Sequence, residues 1–334
     1  MTFRRCAAPP RGRQQGVALL LAMLIVTLVS TLAAGMVWQQ WQAFEVESAV
    51  RLRQQGRWLL AGATDWALQL LKNDARTSGD TDTLTEIWAQ GLEETSLSAF
   101  LAADRDNNAA LTEETTLEAF LSGNIRDAQA RYNLRNLLAS SGEQRQAQQA
   151  ILDRLCDSAG LPSGTGTRVA QLLQAAQAGE QSWGESGGAS ATDDAAVPLR
   201  PRRWAQMSWL GLEPAALEKL GALVTLLPRP TPLNINTASA EVLAAVVPGM
   251  DRASAQRLVQ QRLSLRKGFE RVEDAQEFWP AKYKPEGDLG VSTLYFEVMA
   301  QLRYEGLVWR ELTLVRREGG ELRVLWREAL PAAP

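Results

Sequence analysis

The sequence predicts an α+β protein: a long N-terminal helix, a mainly helical middle and a C-terminal antiparallel sheet. Three observations favour this class. Residues 17–38 form an apolar run without a charged side chain. Apolar residues then recur at helical spacing to Leu70, and no proline occurs between Pro10 and Pro162. Beyond Tyr295 the pattern changes to apolar and polar residues in alternation, which is typical of strands.

The apolar run is long enough to cross a membrane as a helix, since about 20 residues span the hydrocarbon core. It follows a segment with four arginines and no acidic residue, Arg4, Arg5, Arg11 and Arg13. The positive-inside rule therefore predicts a single-pass inner-membrane protein with a cytoplasmic N-terminus and an exported C-terminal part. The alternative is a cleaved secretory signal, with Ala33-Ala34-Gly35 as its small-residue cleavage site.

The junction between the basic segment and the apolar run carries a family resemblance. Gln15-Gly16-Val17-Ala18-Leu19-Leu20-Leu21 resembles the leader of type IV pilins and of type II secretion pseudopilins. The resemblance implies that a prepilin peptidase cuts after Gly16 and methylates the new N-terminus at Val17. Most members have glutamate at the position of Leu21. Its absence is characteristic of the large minor pseudopilin family called protein K.

Composition limits the chemistry open to the chain. It has 334 residues, enough for two domains or for one with a large insertion, and no histidine, so Ser-His-Asp and Cys-His catalytic sites are excluded. Removal of the leader with its four arginines would change the net charge from −3 to −7, which disfavours binding of polyanions. Cleavage would also remove Cys6 and leave Cys156 without a disulfide partner. We expect a protein that is not an enzyme and has no cofactor.

Residues 39–75 are predicted to continue the membrane helix as a periplasmic spine that ends near Asn73 to Gly79. Trp38 and Trp41 fit an interfacial aromatic belt. The next segment, from Asp82 to Ala89, resembles the D-x-L-x-E-x-W-A sequence of protein K. It opens residues 76–135, which the resemblance assigns to the first part of a pilin-like α/β domain.

A weak calcium candidate lies within residues 103–115. Asp104, Asp106 and Asn108 match the first three ligand positions of an EF-hand loop. Ala109 replaces the turn glycine and Thr115 replaces the bidentate glutamate, so an acidic turn is the alternative. A second calcium segment implied by the resemblance survives here only as scattered residues, Glu180, Trp183, Glu185, Asp193 and Asp194.

Residues 125–137 resemble the I-x-D-x-x-G-R-F-N-L-N-N-L signature of protein K, with Ala130 and Arg135 as departures. We expect Asp and Asn side chains here to fix a turn between strand and helix. Residues 136–232 are predicted to be an inserted helical domain, with a flexible loop at 179–194 that is rich in Gly, Ser and Ala. Cys156 falls on an apolar helical face and is predicted to be buried and inert.

Residues 233–280 resemble a helix-hairpin-helix unit. Asn236 or Thr237 is expected to cap the first helix, Pro248-Gly249 forms the turn, and the second helix extends to Arg262. Such units bind DNA when the turn offers backbone N–H groups to phosphate. Here Asp251 replaces the second glycine and the surrounding charges are mixed. Protein K also contains this unit, so we expect a structural module and no nucleic acid; a membrane-anchored receptor for DNA uptake is the alternative.

Residues 281–334 are predicted to form antiparallel strands near 295–304, 307–316 and 322–327, joined by tight turns at Glu305-Gly306 and Glu318-Gly319-Gly320. Their outward Arg and Glu side chains are interpreted as solubilising. The whole chain thus resembles a minor pseudopilin of type II secretion, expected at the tip of the periplasmic pseudopilus. The expected partners are other minor pseudopilins, the prepilin peptidase and the inner membrane.

Overall fold

A computed structural model describes residues 15–77, 79–103, 119–139, 142–185, 198–281, 283–285 and 287–331. Its helices are α1 (Gln15–Thr77), α2 (Leu97–Ala103), α3 (Asn136–Ala139), α4 (Gly142–Ser158), α5 (Thr165–Glu185), α6 (Pro214–Gly221), α7 (Ala240–Val246) and α8 (Arg252–Ser264). Its strands are β1 (Leu92–Ser96), β2 (Ala119–Asp127), β3 (Tyr132–Asn133), β4 (Val224–Thr225), β5 (Leu233–Asn234), β6 (Leu289–Gly290), β7 (Tyr295–Tyr304), β8 (Leu307–Glu318) and β9 (Glu321–Leu330).

The chain divides into two units, Met1–Trp58 and Leu59–Pro334. What the structure describes of the first unit is helix, and its side chains from residue 16 to residue 50 are exposed. Among the described helices, α1 is the one whose length and apolar composition suit a membrane span. The helix ends at Thr77, within the expected range of residues 73–79.

In the second unit, the last turns of α1 pack on an antiparallel sheet with the strand order β1-β2-β7-β8-β9. Leu71 and Trp88 are fully buried there with Ile125 of β2 and Phe296 of β7. The side chains of β7 alternate between buried and half-buried along most of the strand, as the sequence period predicts. The predicted antiparallel sheet packed on the spine helix is therefore confirmed.

Both C-terminal hairpins turn where the sequence predicts. Glu305 and Gly306 have φ values of 48° and 74°, and Gly319 and Gly320 have 61° and 83°. Two successive residues with positive φ form the turn whose twist matches that of the paired strands. The strands themselves extend further than expected, to Glu318 in β8 and to Leu330 in β9.

A large helical insertion connects β2 to β7 and has one hydrophobic core of its own. That core extends in sequence from Tyr132 to Leu289 and includes Leu155 of α4, Leu173 of α5 and Leu258 of α8. The predicted inserted domain at 136–232 and the hairpin unit at 233–280 therefore share one core. Cys156 is buried in it, and burial raises the pKa of its thiol to about 12, so the prediction of an inert thiol agrees with its surroundings.

Helix α5 corrects the loop predicted at residues 179–194. The helix continues to Glu185, so the first seven residues of that segment are helical. Alanine, glutamine and glutamate favour helix and offset the cost of Gly179 and Gly184. Residues 186–194 lie outside the part of the chain that the structure describes.

Candidate functional site

The residues expected to be processed lie at the start of α1. Gly16, Val17 and Leu21 are helical, and Val17 and Leu21 are 70% and 59% exposed. Further along, the rings of Trp38 and Trp41 are 5.7 Å apart on the same helix. An exposed apolar helix of this kind requires a lipid or protein environment to cover it.

The calcium candidates stay predictions. Asp104, Asp106 and Asn108 lie outside the described residues, as do Asp193 and Asp194. Glu180, which belonged to the scattered acidic remnant, instead binds two arginines, Arg200 and Arg202.

The hairpin unit contains the two helices that the sequence predicts, but the first has a different cap. The N-cap of α7 is Ser239, whose hydroxyl accepts a hydrogen bond from the backbone N–H of Val242. The prediction that Asn236 or Thr237 caps this helix is wrong because both side chains bind distant partners. Asn236 bonds to the backbone of Phe269 through both its amide nitrogen and its oxygen, each at 2.9 Å.

The turn of the hairpin unit is poorly suited to phosphate. Gly249 has a φ of 81°, as a tight turn requires, and Asp251 is the N-cap of α8, where its carboxylate accepts a bond from the N–H of Ser254. The negative charge therefore occupies the helix terminus that would otherwise attract an anion. Arg262, the expected end of the second helix, is 5% exposed and donates to the carbonyl oxygens of Ile235 and Ala238.

The polar residues of the hairpin motif converge instead on a buried carboxylate at the end of β2. Asp127 is 4% exposed; its Oδ2 accepts bonds from Thr237 Oγ1 at 2.5 Å and Asn234 Nδ2 at 2.9 Å, and its Oδ1 accepts one from Gln129 N at 2.6 Å. Burial raises the pKa of Asp127 to about 6, although the bond from Thr237 acts in the opposite direction.

A second buried carboxylate joins the segment after α1 to the same unit. Asp82 is 1% exposed, its Oδ2 accepts a bond from Thr293 N at 2.7 Å, and its main-chain oxygen accepts one from Asn234 Nδ2 at 3.1 Å. Its Oδ1 is paired with Arg317 of β8. Burial raises the pKa of Asp82, and the charge of Arg317 opposes that effect. We call Asp82, Asp127, Asn234, Thr237 and Arg317 the polar junction.

Arg317 connects the junction to the last turns of α1. Its Nη1 is 3.1 Å from Asp74 Oδ2, and its guanidinium lies 4.7 Å from the centre of the Phe296 ring. Asp74, Asp82 and Glu86 have carboxylate oxygens within 4.8 Å of one another, which is a spacing that could suit a metal ion. Because Arg317 already pairs with two of these carboxylates, the arrangement is an ion-pair cluster that joins helix, sheet and insertion.

Glu86 and Trp88 complete this cluster and explain the D-x-L-x-E-x-W-A segment. Trp88 is 1% exposed, stacks edge-on against Phe296 at 5.2 Å and donates through Nε1 to Glu86 Oε2 at 2.5 Å. Burial raises the pKa of Glu86 to about 7. The segment therefore anchors an aromatic side chain between α1 and the sheet.

The asparagines of the signature at 125–137 have the structural role that was predicted. Asn133 Oδ1 accepts bonds from the backbone N–H groups of Arg135 and Leu227, and its Nδ2 donates to Arg229 O at 2.7 Å. Asn136 binds both backbone groups of Thr231, each at 3.0 Å. These bonds hold the start of the insertion against the chain that follows α6.

Sequence reasoning missed Arg317. It treated the alternating Arg and Glu of the terminal strands as solubilising, yet the side chain of Arg317 is 13% exposed. Its position at the end of a strand near the sequence-distant Asp82 could not be recognised from local spacing. The acidic residues that follow α1 were the available signal, because a buried carboxylate requires a nearby cation.

Two family models match the chain, both described as type II secretion system protein K, one over residues 130–229 and the other over residues 233–282. The chain is 28% identical over 337 aligned residues to the type II secretion system protein K of Pseudomonas aeruginosa, an alignment that covers 95% of this chain and 93% of the relative. It is 33% identical over 78 residues to the protein of that name from Dickeya chrysanthemi, which covers 23% and 22% of the two chains.

The fold is also similar to a chain in the crystal structure of the GspK-GspI-GspJ complex from enterotoxigenic Escherichia coli. The TM-score is 0.61 at 21% identity, and the alignment covers 85% of this chain and 99% of that one. The predicted combination of a pilin-like helix and sheet with a helical insertion is therefore confirmed by a solved structure.

Proposed function

Since the chain belongs to the protein K family of type II secretion systems and is therefore a minor pseudopilin, we propose that it lies at the tip of the periplasmic pseudopilus, where it helps to initiate or cap assembly. The proposed role is assembly and involves no catalysis. The proposed topology has the N-terminus in the cytoplasm, α1 in the inner membrane and the second unit in the periplasm.

The observation that carries the proposal is the place where the insertion leaves the sheet. The chain enters it after Asp127 and returns at Tyr295, and these neighbouring positions lie where Ile125 and Phe296 contact Leu71 in the last turns of α1. We infer that this insertion, attached beside the last turns of α1, opposes the addition of another subunit at that end of the helix.

The apolar residue at position 21 also supports a place at the tip of the pseudopilus. A carboxylate within the membrane is tolerated when a partner charge is available. In the pseudopilin family the glutamate that this chain lacks is thought to pair with the N-terminus of an adjacent subunit. A subunit at the tip has none above it, so Leu21 avoids an unpaired buried charge. Processing by a prepilin peptidase after Gly16, with methylation of Val17, belongs to the same proposal.

The proposed partners are the pseudopilins that correspond to the other two chains of the similar solved complex, whose title joins GspK with GspI and GspJ. We expect the full-length chain, purified in detergent, to co-purify with those two proteins from its own secretion system when all three are produced together. If neither protein co-purified with the chain, the result would contradict the proposed assembly.

Position is tested directly by labelling pseudopili. With a tag after Leu330 and the major pseudopilin overproduced, gold-labelled antibody should be found at filament ends, whereas a tag on the major pseudopilin should label the whole length. Label along the filament would exclude the tip. Mass spectrometry of the same preparation should find N-methylated Val17, and an intact Met1 or an end near Gly35 would contradict the processing step.

The missing carboxylate is tested by Leu21→Glu, with Leu21→Met as the matched control. We expect the glutamate variant to impair the start of assembly, or to be displaced from filament ends, and the methionine variant to behave as wild type. Normal secretion and end labelling in Leu21→Glu would show that the absence of the carboxylate is not required.

A further inference from the structure

A cavity of about 360 Å³ lies between the later turns of α5 and the segment that follows residue 197. Among the described residues its lining includes Ala176, Glu180, Leu199, Arg200, Arg202 and Trp209. Pockets of a few hundred Å³ with apolar walls and a few charged groups are the usual form of ligand sites. We call this cavity the arginine cavity.

Two arginines of the cavity already bind a carboxylate. Arg200 Nη1 is 2.5 Å from Glu180 Oε2, and Arg202 Nη2 is 2.9 Å from Glu180 Oε1, so each carboxylate oxygen has its own guanidinium. These bonds lower the pKa of Glu180. Gln206 holds the arginine segment in place because its Oε1 accepts bonds from the backbone N–H groups of Arg202 and Arg203. The geometry therefore suits a carboxylate before any partner arrives.

Among the described residues around the cavity, arginines outnumber acidic side chains. Arg135 is 6% exposed, and its pKa is lowered to about 10, first by burial and then by the charge of Arg200. Two guanidinium atoms, Arg135 Nη1 and Arg200 Nε, are buried without a hydrogen-bond partner among the described residues. Arg200 and Arg202 thus share one glutamate, and the buried Arg135 adds positive charge beside them.

Exposed apolar side chains lie beside these arginines. Leu199 is 70% exposed and Trp209 is 52% exposed, and both line the cavity with Ala176. Trp and Arg side chains contribute most of the binding energy in many protein interfaces, and large exposed apolar groups beside charged ones mark contact sites. The cavity therefore combines an anchor for a carboxylate with an apolar surface.

We propose that the arginine cavity binds an acidic segment of another protein, with an Asp or Glu carboxylate at Arg200 and Arg202 and a neighbouring apolar side chain against Leu199 and Trp209. The inference does not depend on the tip position proposed above, since it concerns a surface of the second unit alone.

A peptide fits these groups better than a lipid surface does. Recognition of anionic lipids typically uses clusters of four to eight Lys or Arg, whereas the described lining of the cavity contains two arginines, one of them half-buried. The paired guanidinium groups match the planar carboxylate that Glu180 presents to them. An apolar residue beside that carboxylate would cover the exposed side chains of Leu199 and Trp209. Inorganic phosphate has no apolar group that could do so.

The test selects displayed random octapeptides on the immobilised full-length protein and, in parallel, on its Arg200→Ala/Arg202→Ala double variant. We expect enrichment of Asp or Glu adjacent to Leu, Phe or Trp on the wild type and its loss on the variant. The enriched peptide is then synthesised with a fluorescent label for anisotropy measurements. Equal selection on both proteins, or no acidic enrichment, would overturn the proposal.

Single variants separate recognition from folding. Arg202→Ala removes a side chain that is 78% exposed, so we expect the fold to persist while the peptide Kd rises about tenfold. Glu180→Gln removes the internal competitor, and the peptide should bind several-fold more tightly to it. A merely structural role for these residues predicts no gain. The matched control is Arg252→Ala, an exposed arginine on α8, which should leave the Kd unchanged.

Two further probes distinguish the source of the anion. Vesicles of phosphatidylglycerol should not bind the protein in an arginine-dependent manner. Sodium phosphate at about 10-fold excess over the peptide, a concentration chosen to compete with a bidentate contact, should not displace the peptide. Arginine-dependent vesicle binding with no selected peptide would assign the cavity to lipid. Displacement by phosphate would reduce it to a general anion site, and either result would overturn the proposal of an acidic protein segment.

Discussion

The arginine cavity and the polar junction are both built from arginine and carboxylate, but they differ in burial and in which charge is in excess. At the junction, Arg317 is 13% exposed and pairs with Asp74 and Asp82, whose side chains are 7% and 1% exposed. In the cavity, Glu180 is 37% exposed and is shared by two arginines. Among the described residues, the junction pairs two carboxylates with one arginine, whereas the cavity pairs two arginines with one carboxylate.

The difference indicates separate roles. Removing one partner of a buried ion pair lowers the free energy of unfolding by several kcal/mol, because the remaining ion has neither water nor a counter-charge. An exposed pair contributes about 1 kcal/mol or less, since water replaces the lost partner. The junction therefore fixes the insertion on α1 and the sheet, whereas the cavity can exchange its internal carboxylate for an external one at small cost to the fold.

The largest expected effect follows from Arg317→Ala. The change leaves Asp74 and Asp82 without the guanidinium, so we expect a loss of about 3–5 kcal/mol in the free energy of unfolding at pH 7, measured with denaturant. The control is Arg271→Ala, which removes an ion pair whose arginine is 76% exposed and should cost less than about 1 kcal/mol.

The penalty of Arg317→Ala should also depend on pH. Because burial raises the folded pKa of Asp82 above its ordinary value of 3.8, this carboxyl takes up a proton as the pH falls, and the missing cation then matters less. We expect the difference between variant and wild type to shrink at low pH. A penalty of the same size at pH 4 and pH 7 would show that Arg317 acts through packing on Phe296 and not through charge.

The next largest expected effect is a pH dependence of stability that arises from Asp127. Its folded pKa of about 6 exceeds its ordinary value of 3.8, so its protonated form is favoured by folding. The associated stability is fully present below pH 3.8 and is lost as the pH rises through 6, with an upper size of about 3 kcal/mol. Asp127→Asn should flatten this part of the stability profile. An unchanged slope in the variant would assign the dependence to another group, and Glu86 is the first to test by Glu86→Gln.

Thr237→Val should have a smaller effect on the same junction. The valine keeps the shape but removes the hydroxyl that donates to Asp127, at a cost of about 1–2 kcal/mol. Thr237→Ser retains the hydroxyl and is the control. The Val variant should also raise the pKa of Asp127 further, moving the fall in stability to higher pH. Equal stability of the Val and Ser variants would show that the bond contributes little.

The sequence predicts what local patterns determine. The alternation in β7 and the glycines of both hairpins specify the terminal sheet, and the continuous helical period specifies α1 as far as Thr77. The resemblance of residues 15–21 to a pseudopilin leader identifies the family, which the comparisons support. These features require no knowledge of which distant residues meet.

The buried polar partners could not be predicted in the same way. Thr237 donates to Asp127 across 110 positions and Arg317 binds Asp82 across 235 positions. A threonine before a helix therefore looks like a cap, and an arginine on an alternating strand looks solvent-exposed, until the folded chain supplies another partner. The arginine cavity depends likewise on Glu180, which seemed part of a calcium remnant and a loop.

The smallest expected effect is on folding in Arg202→Ala. Because this side chain is 78% exposed, we expect a change within about 0.5 kcal/mol in the free energy of unfolding, measured beside Arg317→Ala under the same conditions. A variant that loses peptide binding but not stability would separate the two clusters by function. If Arg202→Ala instead destabilised the fold as much as Arg317→Ala, the Glu180 contacts would be a structural tie of the same kind as the junction, and the excess of arginine would have to be explained by the packing of α5.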